Sequence, residues 1–171
     1  MLGLLTMNPL LQAKTELVVG NQAPDFKLFD EAGNGWQLIK HRGNVVVLYF
    51  YPMDDTPGCT KQACSLRDNY DAFKKLGATV VGINYNSSQS HKAFKAKHHL
   101  PFTLLSDHDK KVAKLYNAKP WWAMWFWAIP KRKTIVIDQA GVTRSILDDV
   151  DVTTHTEEVL SEVRKLGIVP Q

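Results

Sequence analysis

Residues 45–68 read VVVLYFYPMDDTPGCTKQACSLRD: an apolar run, a proline-bounded loop, then the only two cysteines of the chain, Cys59 and Cys64. Val45–Phe50 is continuously apolar and rich in valine and aromatic residues, which predicts a strand buried on both faces inside a covered sheet. Pro52 ends it, because proline has no N–H to offer a ladder. Beyond the loop, Ala63, Leu66, Tyr70, Phe73 and Leu76 recur at helical spacing and Gly77 supplies a stop, so one helix is predicted over 58–76. A cysteine in the first turn of that helix meets unpaired backbone N–H groups whose partial positive charge favours an anion. The thiolate is the nucleophilic form of cysteine, which makes Cys59 the leading candidate for a reacting group.

The rest of the chain supplies partners for the central strand. Ala23-Pro24-Asp25-Phe26-Lys27-Leu28 opens a short strand, and the turn Glu31-Ala32-Gly33-Asn34-Gly35 leads to a second over 36–39, forming an N-terminal β-hairpin. Residues 78–84, ATVVGIN, read as a second central strand. Ser88 can cap a helix running to about His98, and Asp107 one running to Tyr116, with a short strand over 102–105 between them. Residues 134–138 and 142–147 form a hairpin across Gln139-Ala140-Gly141, and 153–166 is a final amphipathic helix. Strands alternating with helices indicate an α/β fold with helices on both faces of a central sheet. The terminal hairpins make that sheet mixed rather than purely parallel.

A chain of 171 residues with 44% hydrophobic and 22% charged residues suits one globular domain, here 20–171 behind a flexible N-terminal arm, 1–19. The net charge of +4 is spread along the chain, and Lys131-Arg132-Lys133 is too short a basic run for a nucleic-acid partner. The arm is apolar, but it has no basic residue before its leucines, and Asn8 and Pro9 interrupt it. It reads as a loose arm rather than a signal peptide. No run reaches the roughly 18 apolar residues of a spanning helix, so no stable membrane insertion is expected, and a cytoplasmic protein is the default.

Around Cys59 the loop supplies polar groups suited to a charged sulfur. The Thr56 hydroxyl can donate and accept, Gly58 lets a substrate approach the backbone, and Pro52 and Pro57 stiffen the loop. Asp54 and Asp55 oppose a thiolate. They are tolerable only if they point outward or pair with a cation, and a distant arginine is expected near the sulfur. Cys64 lies about 140° round and roughly 7.5 Å along an intact helix from Cys59. A disulfide needs Cα atoms about 4.4–6.8 Å apart, so the two sulfurs can bond only if that turn unwinds. The alternative is two inert, small apolar residues. A zinc site would need two further ligands, and the spacing is not the C-x-x-C of a thioredoxin-type redox site.

The segment resembles the active-site loop of peroxiredoxins, P-x-x-x-T-x-x-C, here Pro52, Thr56 and Cys59. The longer string FYPMDDTPGCTKQAC is similar to the peroxiredoxin Q, or bacterioferritin comigratory protein, group. The likeness continues through Val81-Gly82-Ile83-Asn84, His91 with Phe94, Leu100-Pro101-Phe102, Leu104-Leu105-Ser106-Asp107 and Arg132-Lys133-Thr134-Ile135-Val136-Ile137-Asp138. It implies a thioredoxin-like fold and thiol-dependent reduction of hydrogen peroxide and organic hydroperoxides, with no metal, haem or flavin cofactor. It also implies roles: Cys59 peroxidatic, Cys64 resolving through an intramolecular disulfide, Thr56 orienting the peroxide, Pro52 shielding the pocket and Arg132 the distant cation. Gly58, Thr56 and Arg132 would touch substrate. A thioredoxin-like reductant would recycle a monomer or weak dimer. The alternatives are a general thiol–disulfide oxidoreductase and a peroxide sensor that passes its oxidation to a partner protein.

Ile135 stands where phenylalanine is common in the group and Gln62 where glutamate is common; neither is expected to touch the chemistry. The segment 121–127, WWAMWFW, holds four of the five tryptophans and could be ordinary packing, a wall of the peroxide pocket or a partner surface. Arg67 could hold the loop or the acidic pair, or be a plain surface ion pair. The six histidines show no metal spacing and read as structural or exposed.

Overall fold

The computed structural model describes residues 16–119 and 130–167. Its strands are β1 Lys27–Asp30, β2 Gly35–Gln37, β3 Val45–Phe50, β4 Ala78–Asn84, β5 Thr103–Ser106, β6 Lys133–Ile137 and β7 Thr143–Asp148. They form one sheet in the order β2-β1-β5-β4-β3-β6-β7. The pairs β3–β4 and β4–β5 are parallel and the others antiparallel, so the sheet is mixed as expected. The helices are α1 Pro57–Asp68, α2 Tyr70–Lys75, α3 Ser88–His98, α4 Lys111–Leu115 and α5 His155–Lys165, with a 3-10 turn at Leu38–His41.

Every residue of β3 is buried. Successive side chains of a strand point to opposite faces, and β3 feeds two core layers in this way. Val45, Val47 and Tyr49 pack with Leu66 of α1, Phe73 of α2, Phe94 of α3 and Val159 and Leu160 of α5. Val46, Leu48 and Phe50 pack with Val112 and Ala113 of α4, Tyr116, and Trp36 and Leu38 from the N-terminal hairpin and the turn after it. A strand enclosed on both sides has no polar face to alternate, which is why its sequence is an unbroken apolar run.

Several expected elements are shifted, shorter or divided: the first strand begins at Lys27 rather than Ala23, and the final helix spans His155–Lys165 rather than 153–166. The helix predicted over 58–76 is two helices, because Asn69 leaves helical geometry (φ −105°, ψ 9°) and its side chain donates to the Ser65 carbonyl at 3.0 Å, the local competition that keeps asparagine out of helix interiors. The apolar period survives the break, since Ala63, Leu66 and Phe73 share one core layer. The second hairpin strand ends at Gln37. There the Asp25 carboxylate takes the Gln37 amide and the Ile39 N–H, at 2.6 and 3.0 Å, and the chain turns. The N-cap residue of α4 is Lys110 rather than Asp107, because an intervening turn delays the helix to Lys111, but the Asp107 carboxylate still accepts from the N–H groups of Val112 and Ala113 at 3.1 and 2.7 Å. The last hairpin forms as expected, closed by Asp138, which accepts from the N–H groups of Ala140 and Val142 at 2.9 Å each.

Of the arm, residues 1–15 lie outside the described residues, as does the whole aromatic segment 121–127. Gly20 and Ala23 are bonded to the β6–β7 hairpin, to the carbonyls of Thr143 at 2.8 Å and Gly141 at 2.9 Å. Among the described residues no helix is long and apolar enough to cross a membrane.

The register Phe50↔Lys133 between β3 and β6 positions the site. It sets residue 132 beside the end of β3 from which the chain leaves for α1, although the two are far apart in sequence. Because β3 carries both core layers, Leu48→Ala should lower unfolding free energy by about 2–5 kcal/mol, the range for deleting a buried leucine side chain. Urea denaturation of the two proteins measures it.

Candidate active site

The loop after β3 delivers Cys59 to the first turn of α1. Thr56 is the N-cap residue, with extended backbone (φ −86°, ψ 153°), and Pro57 occupies the first helical position, where a missing N–H costs nothing. The Thr56 hydroxyl does not cap the helix. It donates to the Met53 carbonyl at 3.0 Å, which leaves its oxygen free to accept. Cys59 is only 1% exposed and Cys64 is half-buried; both are free thiols, on one intact helix. Pro52 lies half-buried in the bend between β3 and α1.

The distant cation is Arg132. Its Nη2 donates to Cys59 Sγ at 3.4 Å and its Nη1 to Gln62 Oε1 at 2.8 Å. Gly58 makes room for it: a Cβ there would lie 2.8 Å from Arg132 Nη2. The glycine that sequence reasoning reserved for substrate thus admits the guanidinium. A nearly buried sulfur has few water donors, so a charge-assisted bond from arginine and the partial charges of the helix end are what can hold it as an anion.

The two loop carboxylates are both paired, one inward and one outward. Asp54 is buried and accepts from the Tyr51 hydroxyl (2.7 Å), Asn84 Nδ2 (2.9 Å) and the Ser90 hydroxyl (2.7 Å), and His91 Nδ1 lies 2.9 Å away. The other ring nitrogen of His91 faces the Leu105 carbonyl at 3.1 Å. Both ring nitrogens of His91 therefore meet oxygen partners. Burial pushes the Asp54 carboxyl up, but the bond and charge of His91, with Ser90 and Tyr51, outweigh it and leave the group below its ordinary value. Asp55 points outward to His98 Nε2 (2.9 Å) and Lys97 Nζ (2.6 Å), which hold its carboxyl low. Neither carboxylate is left to oppose a charged sulfur.

One sequence expectation fails here. Gln62 was expected to stay clear of the chemistry, yet it accepts from the arginine that contacts Cys59. Its Nε2 lies 3.2 Å from His155 Nδ1, and His155 Nε2 lies 2.8 Å from Thr134 Oγ1. His155 is fully buried; burial first, and the charge of Arg132 second, push its pKa down to about 4. Its hydrogen bonds connect it to the site. Gln62, His155 and Thr134 come from α1, α5 and β6, and no local spacing could have linked them.

Arg67 does not reach the acidic pair. It donates to the His98 carbonyl at 2.8 Å, at the end of α3, and to Asp68 at 2.8 Å. Its guanidinium is raised chiefly by Asp68, against desolvation, with a further contribution from Cys64 beside it. Among the described residues no group of three His, Cys, Asp or Glu side chains is placed to hold a metal ion.

The chain matches the AhpC/TSA family over residues 19–146. A chloroplastic peroxiredoxin Q of Suaeda salsa is 46% identical over 148 residues, covering 86% of this chain and 68% of that protein. Among solved structures, peroxidoxin BcpB from Mycobacterium tuberculosis has a TM-score of 0.80 at 30% identity, covering 86% of this chain and 97% of that one. Peroxiredoxin Q of Xanthomonas campestris has a TM-score of 0.77 at 28% identity, covering 82% and 90%. Fold and relatives together define a thioredoxin-fold thiol peroxidase that acts on peroxides with a thiol reductant. The chain belongs to the AhpC/TSA family and, within it, to the peroxiredoxin Q group. The cytoplasmic expectation is overturned, because the Suaeda salsa relative is a chloroplastic protein. The physical reason is that an address is read by receptors and is independent of domain chemistry.

Asp54→Asn should cost about 1–3 kcal/mol at pH 7, the penalty for leaving buried hydrogen-bond partners unsatisfied. Because the folded carboxyl is held low, its stabilisation is complete above about pH 4, the ordinary value in an unfolded chain. It is lost as pH falls through the lower folded value, so the gap between wild type and variant, followed by denaturation, should narrow in acid. Gly58→Ala should displace the guanidinium and slow peroxide consumption by about tenfold or more, as small misplacements of a reacting group do.

Proposed function

We propose that the protein reduces hydrogen peroxide and organic hydroperoxides through Cys59, with Cys64 as the resolving thiol. The Cys59 thiolate attacks one oxygen of the O–O bond; an S–O bond forms, the O–O bond breaks, and the other oxygen leaves with a proton as water or alcohol. Cys59 becomes a sulfenic acid. After α1 unwinds locally, the Cys64 thiolate attacks that sulfur, hydroxide leaves as water, and a disulfide joins the two. A thioredoxin-like dithiol returns two electrons by exchange.

The observation that carries this reading is the Arg132 guanidinium, 3.4 Å from a 1%-exposed sulfur at a helix N-terminus. The same cation can stabilise charge that develops on the departing oxygen. Thr56 keeps an acceptor oxygen for the peroxide hydrogen, the Gly58 and Cys59 N–H groups are further donors, and Pro52 covers the loop side. Further parts of the proposal are a domain of 20–171, a monomer or weak dimer, and, carried over from the relatives, a plastid address.

With a thioredoxin system as donor, Cys59→Ser should lose fast peroxide consumption altogether. Cys64→Ser should perform one turnover and retain a sulfenic acid that dimedone traps. The opposite pattern, with the first turnover lost only in Cys64→Ser, reverses the assignment.

A further inference from the structure

We infer that Gln62, His155 and Thr134 form a directional hydrogen-bond relay that aims the Arg132 guanidinium at the Cys59 sulfur, which makes all three positioning residues for the peroxide-splitting step. The inference rests on Cys59 being the attacking thiolate.

Donor and acceptor chemistry forces the direction of each bond. A guanidinium only donates, so Gln62 must turn Oε1 to Arg132 Nη1 at 2.8 Å. Its amino group is then directed at His155 Nδ1, 3.2 Å away. That amino group only donates, so Nδ1 must be unprotonated and Nε2 must carry the hydrogen. Nε2–H then donates to Thr134 Oγ1 at 2.8 Å. Gln62 is 1% exposed and His155 and Thr134 are fully buried, so water cannot stand in for a missing member. Burial, which holds His155 neutral well below physiological pH, suits the same arrangement.

The relay has one failure mode. If Nδ1 carried a hydrogen, it would face the Gln62 amino group, and the amide would have to rotate. Rotation would turn Nε2 toward Arg132, donor against donor, and the guanidinium would withdraw from the site it shares with the sulfur.

Thr134 gives the sharpest test, because its hydroxyl is bonded to His155 and not to the sulfur. Thr134→Val keeps the shape but removes the acceptor. The buried imidazole then favours the tautomer with hydrogen on Nδ1, and the Gln62 amide is driven to rotate. In reduced full-length protein carrying Cys64→Ser, the first turnover with hydrogen peroxide is followed by stopped flow. Thr134→Val should slow it about tenfold or more, the scale of effect that misplacing a reacting group has, and Thr134→Ser should restore it. Gln62→Met should slow it as well, and adding Thr134→Val to Gln62→Met should cost nothing further, since residues acting through one another are not additive. A folded Thr134→Val protein with the unsubstituted rate, or one whose loss persists in full on Gln62→Met, overturns the relay. If Thr134→Val does not fold, His155→Phe with Gln62→Met gives the same cycle. Retention of the first turnover by Cys59→Ser would instead remove the reading beneath it.

Discussion

A sulfur almost sealed from water faces one guanidinium at the end of a helix, and the rest of the site serves that contact. The Arg132–Cys59 distance of 3.4 Å depends on a glycine at 58, where any Cβ would collide with Nη2. It depends equally on the antiparallel register that brings the start of β6 to the end of β3. Free cysteine is ordinarily protonated at neutral pH. A buried thiolate therefore has to be held by fixed donors, because solvent is not there to do it.

The loop that carries the cysteine is anchored by its own acidic residues. Asp54 is drawn inward onto His91, Tyr51, Asn84 and Ser90, which joins the loop to β4 and α3. Asp55 is drawn outward onto Lys97 and His98 at the far end of α3. Two charges that would weaken an adjacent anion are instead spent on fixing its backbone. Once buried, the Asp54 carboxylate is tolerable because it is paired, since an unpaired buried carboxylate would be costly.

Cys64 sits on the same unbroken helix, and helix geometry keeps the two thiols apart. Gln62 lies between them in sequence and holds Arg132 through its side chain. Any unwinding of α1 that brought the sulfurs together would also disturb Gln62, so in the proposed cycle the Arg132 contact would be released before the disulfide forms. The break at Asn69 ends α1 soon after Cys64 and confines that unwinding to a short helix.

Local chemistry was legible in the sequence. The unbroken run Val45–Phe50 announced a doubly covered strand, the proline-flanked loop announced a helix start with Cys59 in its first turn, and the two aspartates announced that a cation had to be supplied from elsewhere. These follow from residues within a few positions of one another, where spacing along a strand or helix fixes direction. The division of the helix at Asn69 was hidden, because the apolar period runs on across it. The partners of Gln62 were hidden for a different reason: Thr134 and His155 come from a strand and a helix 72 and 93 positions away from it, a separation that only sheet register and helix packing can close. Tertiary structure alone decided that a glutamine, a histidine and a threonine of no apparent pattern share one line of hydrogen bonds. A hydrogen bond is a matter of distance in space, and the chain contains no record of that distance until it has folded.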